Sequence, residues 1–196
     1  MKRFAVLVVL TVALVVALPG ALFAQSSNSF TSYYQPGNVA ASIEAGASFG
    51  YYGFSLAAYP SLEFMIAKYN IGDVIPLDIG AEVRGRVGLG IGSYAGFGLG
   101  VGGLATAHMG FRGMPGDLGA YLSKIDLYIG LGLAYDFQSS YYNSFGLGFV
   151  SIAGLNYFLS DSMAVVLGEA YWHGFADTTI GLRLKFGSAE AAKKAM

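Results

Sequence analysis

This sequence predicts an all-β fold, a single antiparallel up-and-down barrel of about eight strands, and three observations carry the prediction. Apolar and polar residues alternate with a period of two along most of the chain, the pattern of strands with two unlike faces. Glycine accounts for 29 of 196 residues with only 5 prolines and no Gly-X-Y period, so neither collagen nor a disordered Pro/Gly linker fits. Charged residues make up only 12 %, about half the usual share, against 55 % hydrophobic.

The elements follow in order. Lys2 and Arg3 precede an uncharged apolar run from Phe4 to Leu18, and Pro19-Gly20 breaks it just before Ala21-Leu22-Phe23-Ala24. This is the layout of a secretory signal peptide over 1–24, with Ala24 at the residue before the cut and Leu22 at the third. The competing reading is an uncleaved anchor, since Phe4 to Ala24 is about long enough to span a bilayer. Either way the chain leaves the cytoplasm. A polar segment over 25–37 follows, then the barrel over 38–187 and a tail over 188–196.

Within the barrel, Val39, Ala41, Ile43, Ala45, Ala47 and Phe49 stand opposite Ser42, Glu44, Gly46 and Ser48. Phe54, Leu56, Ala58, Leu62, Phe64 and Ile66 stand opposite Ser55, Tyr59, Ser61 and Glu63. Leu77 to Ile91 is the cleanest case, with Leu77, Ile79, Val83, Val87 and Leu89 on one face and Asp78, Glu82, Arg84 and Arg86 on the other. Phe97 to Phe111 opposes apolar odd positions to glycines, Thr106 and His108, and Ile125 to Phe137 opposes Ile, Leu and Phe to Lys124, Asp126, Gly130 and Asp136. Phe145 to Leu159 is apolar on both faces. In Met163 to His173 the run Val165-Val166-Leu167 hides the face of Glu169, which a bulge would return to the polar side. Ile180, Leu182, Leu184 and Phe186 close the series opposite Thr179, Gly181, Arg183 and Lys185. Turns are expected at 50–53, 70–76, 92–94, 112–119, 138–144, 160–162 and 174–177.

The orientation of the faces follows from charge. A soluble barrel turns its apolar face to a core and covers its exterior with Lys, Glu, Thr and Asp. Here the non-apolar face is too poor in charge for a solvated exterior and is filled with Gly, Ala and Ser, which leave room in a narrow cylinder for long side chains. Apolar residues therefore face outward, and a closed barrel satisfies every backbone hydrogen bond in lipid. Aromatic residues cluster near strand ends, among them Tyr69, Phe111, Tyr135, Phe137, Tyr157, Phe158, Tyr171 and Trp172, where interfacial girdles are expected.

With this pattern the chain resembles the small eight-stranded outer-membrane barrels of the OmpA transmembrane-domain, OmpX and OmpW type. The resemblance rests on the leader, on the tight turn between Gly154 and Ala164, and on the last strand Ile180-Gly181-Leu182-Arg183-Leu184-Lys185-Phe186. It implies a bacterial outer-membrane location, outer-membrane lipid as surroundings, and a barrel-assembly machinery that reads Ile180, Leu182, Leu184 and Phe186. The chain departs from the family in the tail after Phe186 and in its long connections, which fall on the periplasmic side if the N-terminus is periplasmic.

The candidate site is the set of inward charges Glu44, Glu63, Glu82, Arg84, Arg86, Arg183 and Lys185. Unpaired charges in so narrow a space are costly, so pairing into a salt-bridged plug is expected, which gives a structural or surface-interaction role. The alternative is a small channel or transporter for small or apolar solutes. Other chemistry is weakly represented. Gly98 to Gly103 satisfies G-x-G-x-x-G, but alternation runs through it and no helix follows, so it reads as a glycine-faced strand. His108 and His173 are the 2 histidines, and neither a catalytic set nor a metal site can be assembled from their spacing. No cysteine is present, which excludes a disulfide framework and a thiolate site. Without Lys2 and Arg3 the formal charge of -1 falls to about -3, which argues against nucleic acid. No cofactor is implied.

Overall fold

A computed structural model describes residues 31–50, 53–71, 75–92, 95–114, 116–139, 144–172 and 175–187. The expected signal peptide over 1–24, the expected tail over 188–196 and His173 lie outside them. Eight strands form the barrel: β1 (Val39–Gly50), β2 (Gly53–Ile71), β3 (Ile75–Gly92), β4 (Gly96–Gly110), β5 (Ile125–Ser139), β6 (Ser144–Ser160), β7 (Met163–Trp172) and β8 (Phe175–Phe186). Each pairs antiparallel with the next, and β8 closes on β1 from Val39↔Phe186 to Ala47↔Thr178. Closure leaves no edge strand, so the ladder satisfies the backbone all the way round.

The stagger can be followed through the register. From Val39 the partners run through Phe64, Ala81, Ala105, Leu131, Ser151, Tyr171 and Ala176. Extending the β8–β1 register by two residues brings Ala176 to Phe49, ten residues along β1 from the start. Such a stagger tilts eight strands into a cylinder whose interior side chains can fill.

The face assignment holds strand by strand. Along β3 the buried positions are Asp78, Glu82, Arg84 and Arg86, while Val83, Val87, Leu89 and Ile91 are exposed. The two strands that the sequence left ambiguous divide in the same way. In β6, Val150, Ile152, Asn156 and Phe158 face inward, and Leu147, Phe149 and Leu159 face outward. In β7 the register with β6 and β8 runs without interruption from Ala164 to Trp172, so no bulge turns Glu169 inward. Its side chain is exposed on the outer face, which corrects the expectation from sequence.

Three further differences have simple causes. The expected turns at 70–76 and 138–144 are shorter, because β2 and β3 pair as far as Ile71↔Ile75 and β5 and β6 as far as Gln138↔Ser144. The β4–β5 connection contains a seven-residue helix, α1 (Gly116–Leu122), too short for a helical period to register in the sequence. Of the aromatics expected at the rims, Tyr69 and Tyr135 are exposed, but Phe111, Phe158 and Trp172 are buried.

Interior glycines make room for larger neighbours. A Cβ at Gly154 or Gly168 would lie 3.0 or 2.8 Å from the Tyr128 hydroxyl, and closer still to backbone atoms of the paired strand. Gly103 on the outer face has open space about its Cβ position. Gly168→Val is therefore expected to cost at least about 1–3 kcal/mol by overpacking, read as a lower temperature for loss of the compact, unboiled band on SDS gels. Gly103→Val should leave that temperature nearly unchanged.

Candidate functional site

The inner faces of β1, β2, β3, β4, β5 and β8 converge on one chain of charges. Arg84 on β3 is fully buried and sits between two carboxylates, Glu44 at 2.8 Å and Glu82 on its own strand. The i, i+2 spacing puts Glu82 and Arg84 on the same face of β3, where their side chains meet. Glu44 also accepts from Thr179 at 3.0 Å and from Ser42 at 3.2 Å. On the far side of Glu82, Arg183 of β8 approaches its carboxylate at 3.6 Å and donates to Glu63 at 3.2 Å.

From Glu63 the chain continues to His108. Glu63 accepts from Thr106, and its Oε1 lies 2.9 Å from His108 Nε2. His108 Nδ1 lies 2.8 Å from Asp126 Oδ2, which also accepts from Asn156 at 2.7 Å. Both histidine nitrogens thus face acceptors, a geometry satisfied when each carries a proton. The Arg183 guanidinium lies 5.1 Å from the centre of the Tyr128 ring, which stacks at 5.8 Å on His108. The result is an alternating series, Glu44, Arg84, Glu82, Arg183, Glu63, His108 and Asp126, with every member buried.

Of the candidate residues named from sequence, the structure brings Glu44, Glu63, Glu82, Arg84 and Arg183 together. It places the other two elsewhere. Arg86 lies further along β3, among the positions of Gly88 and Gly98, and its Nε is 3.4 Å from the Tyr59 hydroxyl, which donates to Asp177. Lys185 donates to the Tyr33 carbonyl at 2.6 Å and so holds the N-terminal segment instead of a carboxylate. Strand height separates them: the stagger spreads side chains of one face along the whole cylinder. His108 and Asp126, which the sequence puts on the polar face but not in the site, pair and join β4 to β5 at the end of the barrel where β1 begins and β8 ends.

Thr31 to Asn38 packs against that end, which the polar composition of the segment does not indicate. Thr31 bridges to Arg112, Gly37 donates to the Met65 carbonyl at 2.9 Å, and the Asn38 amide reaches the Gly187 carbonyl at 2.9 Å. Tyr33 stacks on Phe158 with centroids 3.7 Å apart, and its hydroxyl donates to the Ser123 carbonyl at 2.7 Å. Tyr34 is fully buried with its ring edge against His108 at 4.7 Å, and burial holds its phenol above the ordinary pKa.

The other inner wall is apolar. Val150, Ile152, Val166, Ala170 and Trp172 from β6 and β7 pack with Leu104, Ala134, Tyr59 and Tyr128. Among the described residues no group of three His, Asp or Glu side chains is placed to hold a metal ion. Within the network each of Arg84, Arg183 and His108 stands between two carboxylates.

Removing one partner from such a chain leaves its neighbours charged and buried. Arg84→Ala should therefore destabilise the barrel by about 3–5 kcal/mol, measured as the loss of heat resistance on gels or by thermal melting in detergent. The triple change Arg84→Leu, Glu44→Gln and Glu82→Gln removes both signs together and should cost less than the single one.

In fold, the chain is similar to a de novo designed transmembrane β-barrel, at 15 % identity and a TM-score of 0.44 over 78 % of this chain and 98 % of that one. It is also similar to Neisserial surface protein A (NspA), at 18 % identity and 0.45 over 76 % and 96 %. A third is the Yersinia pestis outer membrane protein Ail in a phospholipid bilayer nanodisc, at 13 % identity and 0.41 over 76 % and 99 %. No family model matches the sequence, and no curated relative does.

Proposed function

We propose that the chain is an integral protein of the bacterial outer membrane with a structural or surface-interaction role, its lumen plugged by the paired charges. The observation that carries this reading is the inversion of the two faces. Val83, Val87, Leu99, Leu131, Leu147 and Leu182 stand about half exposed around the outside, while Arg84, Glu63, Glu82 and His108 are at most 2 % exposed inside. A largely apolar exterior of this kind is unfavourable in water and is covered by lipid in a membrane. Ile180, Leu182, Leu184 and Phe186 all face outward from β8. That supports their reading by a barrel-assembly machinery as an apolar stripe on the terminal strand.

Plugging follows from two features in series, the charge network and the Tyr33-Tyr34 closure. At the opposite end only two to four residues separate β1 from β2, β3 from β4, β5 from β6 and β7 from β8. The connection with α1 lies at the end where β1 begins and β8 ends, and offers surface outside the bilayer. The channel alternative draws on the glycines that line the upper lumen, where Gly90, Gly96, Gly146 and Gly148 are partly exposed. A solute entering there meets Tyr59, Asp177 and Trp172, all buried, before it reaches the network.

Two measurements test the reading. In the outer-membrane fraction the unboiled protein should run as a compact species that shifts on heating, whereas recovery as a soluble periplasmic species overturns the proposal. In planar bilayers the purified protein should give no steady conductance. A reproducible open level in the wild type would favour the channel.

A further inference from the structure

The strands of the described chain turn a single charge outward, the Glu169 carboxylate on β7. It pairs across with Thr178 on β8 and with Ala153 on β6, one residue from the middle of that 17-residue strand, so it sits near mid-height of the barrel. On the reading that the barrel spans a membrane, on which this inference rests, that is hydrocarbon, where an ionisable group is expensive and needs a partner. Among the described residues no ion pair or hydrogen bond of the same chain serves it. Around it the bulky apolar band is interrupted: Ala153 and Ala176 are small, and Ser151 and Thr178 are hydroxylic. Between β7 and β8 the surface is indented at Glu169, Ala176 and Thr178.

We infer that this mid-height patch on β6, β7 and β8 is the interface with a second copy of the same chain. Lipid headgroups lie too far along the membrane normal and carry phosphate, which the carboxylate repels. A second copy answers both needs. The patch holds an acceptor, Glu169, next to outward-facing hydroxyl donors, the exposed Thr178 and the half-buried Ser151, so a two-fold axis through it sets each copy's carboxylate against the other's hydroxyls. Small residues beside them let two sheet faces approach closely, as membrane interfaces require where apolar surface alone gives no driving force.

The absence of cysteine from the sequence makes the test clean. Single-cysteine full-length variants Ala153→Cys and Ala176→Cys, flanking the patch, and Val101→Cys on the outer face of β4, are treated in native membranes with a short thiol-specific crosslinker. Crosslinking to twice the chain mass is expected for at least one of the flanking variants and not for Val101→Cys. Adding Glu169→Leu should lower the crosslinked fraction at least fivefold, and Glu169→Gln, which keeps an acceptor, should lower it less. No dimer from either flanking site, equal crosslinking at Val101, indifference to Glu169→Leu, or a product of another mass overturns the inference. The heat-dependent gel shift of the same samples separates the two readings. If the shift is present without dimer, only the interface fails; if the protein is absent from the membrane, the membrane reading fails with it.

Discussion

The pairing of buried charges inside a narrow eight-stranded cylinder is the constraint on which the rest of this molecule depends. Arg84 cannot be buried without Glu44 and Glu82, nor Arg183 without Glu63, because a lone ion at such a site loses its hydration and gains nothing in return. These residues come from β1, β2, β3 and β8, so the network can form only when the first and last strands have met. Barrel closure and charge neutralisation are therefore one event. The same chain of contacts runs on through His108 and Asp126 to Asn156, tying in β4, β5 and β6.

Glycine is the complement of this arrangement. Where long side chains enter the lumen, adjacent interior positions carry no side chain, as with Tyr128 above Gly154 and Gly168 or Arg86 beside Gly88 on its own strand and Gly98 on β4. A high glycine content, destabilising in an ordinary strand, here supplies volume for the charged and aromatic groups that hold the strands in register. The apolar wall of β6 and β7 fills the remaining space and needs no partners. Its residues are therefore the ones whose sequence alternation is weakest, since Val150, Ile152 and Val166 face a lumen that tolerates them.

Polarity at the two surfaces obeys opposite rules. Inside, charge is admitted, and Arg84, Arg183 and His108 each stand between two carboxylates. Outside, the strands exclude it except at Glu169, and the surrounding Ser151, Ala153, Ala176 and Thr178 mark the same place as different from the rest of the band. The N-terminal segment adds a third kind of surface, its Tyr33 and Tyr34 rings packing on Phe158 and His108 while backbone hydrogen bonds fix it to β2 and the β4–β5 connection and the Lys185 ammonium fixes it to β8.

The amino-acid sequence by itself determined the strand number, the antiparallel order and, for six strands, which face is apolar, because a period of two is a local property readable from neighbours. It also determined that Glu44, Glu63, Glu82, Arg84 and Arg183 share the interior, since each alternates with outward apolar residues. Partner choice was not legible, because it depends on the stagger around the ring: Arg86 and Lys185 share a face with the network but lie at other heights. The outward turn of Glu169 was decided by continuous pairing of β7 with both neighbours, which the run Val165-Val166-Leu167 concealed. Nor could composition reveal that Tyr33 and Tyr34 pack against the barrel, for their partners Phe158, His108, Ser123 and Lys185 lie 74 to 152 positions further along the chain and become neighbours only after closure.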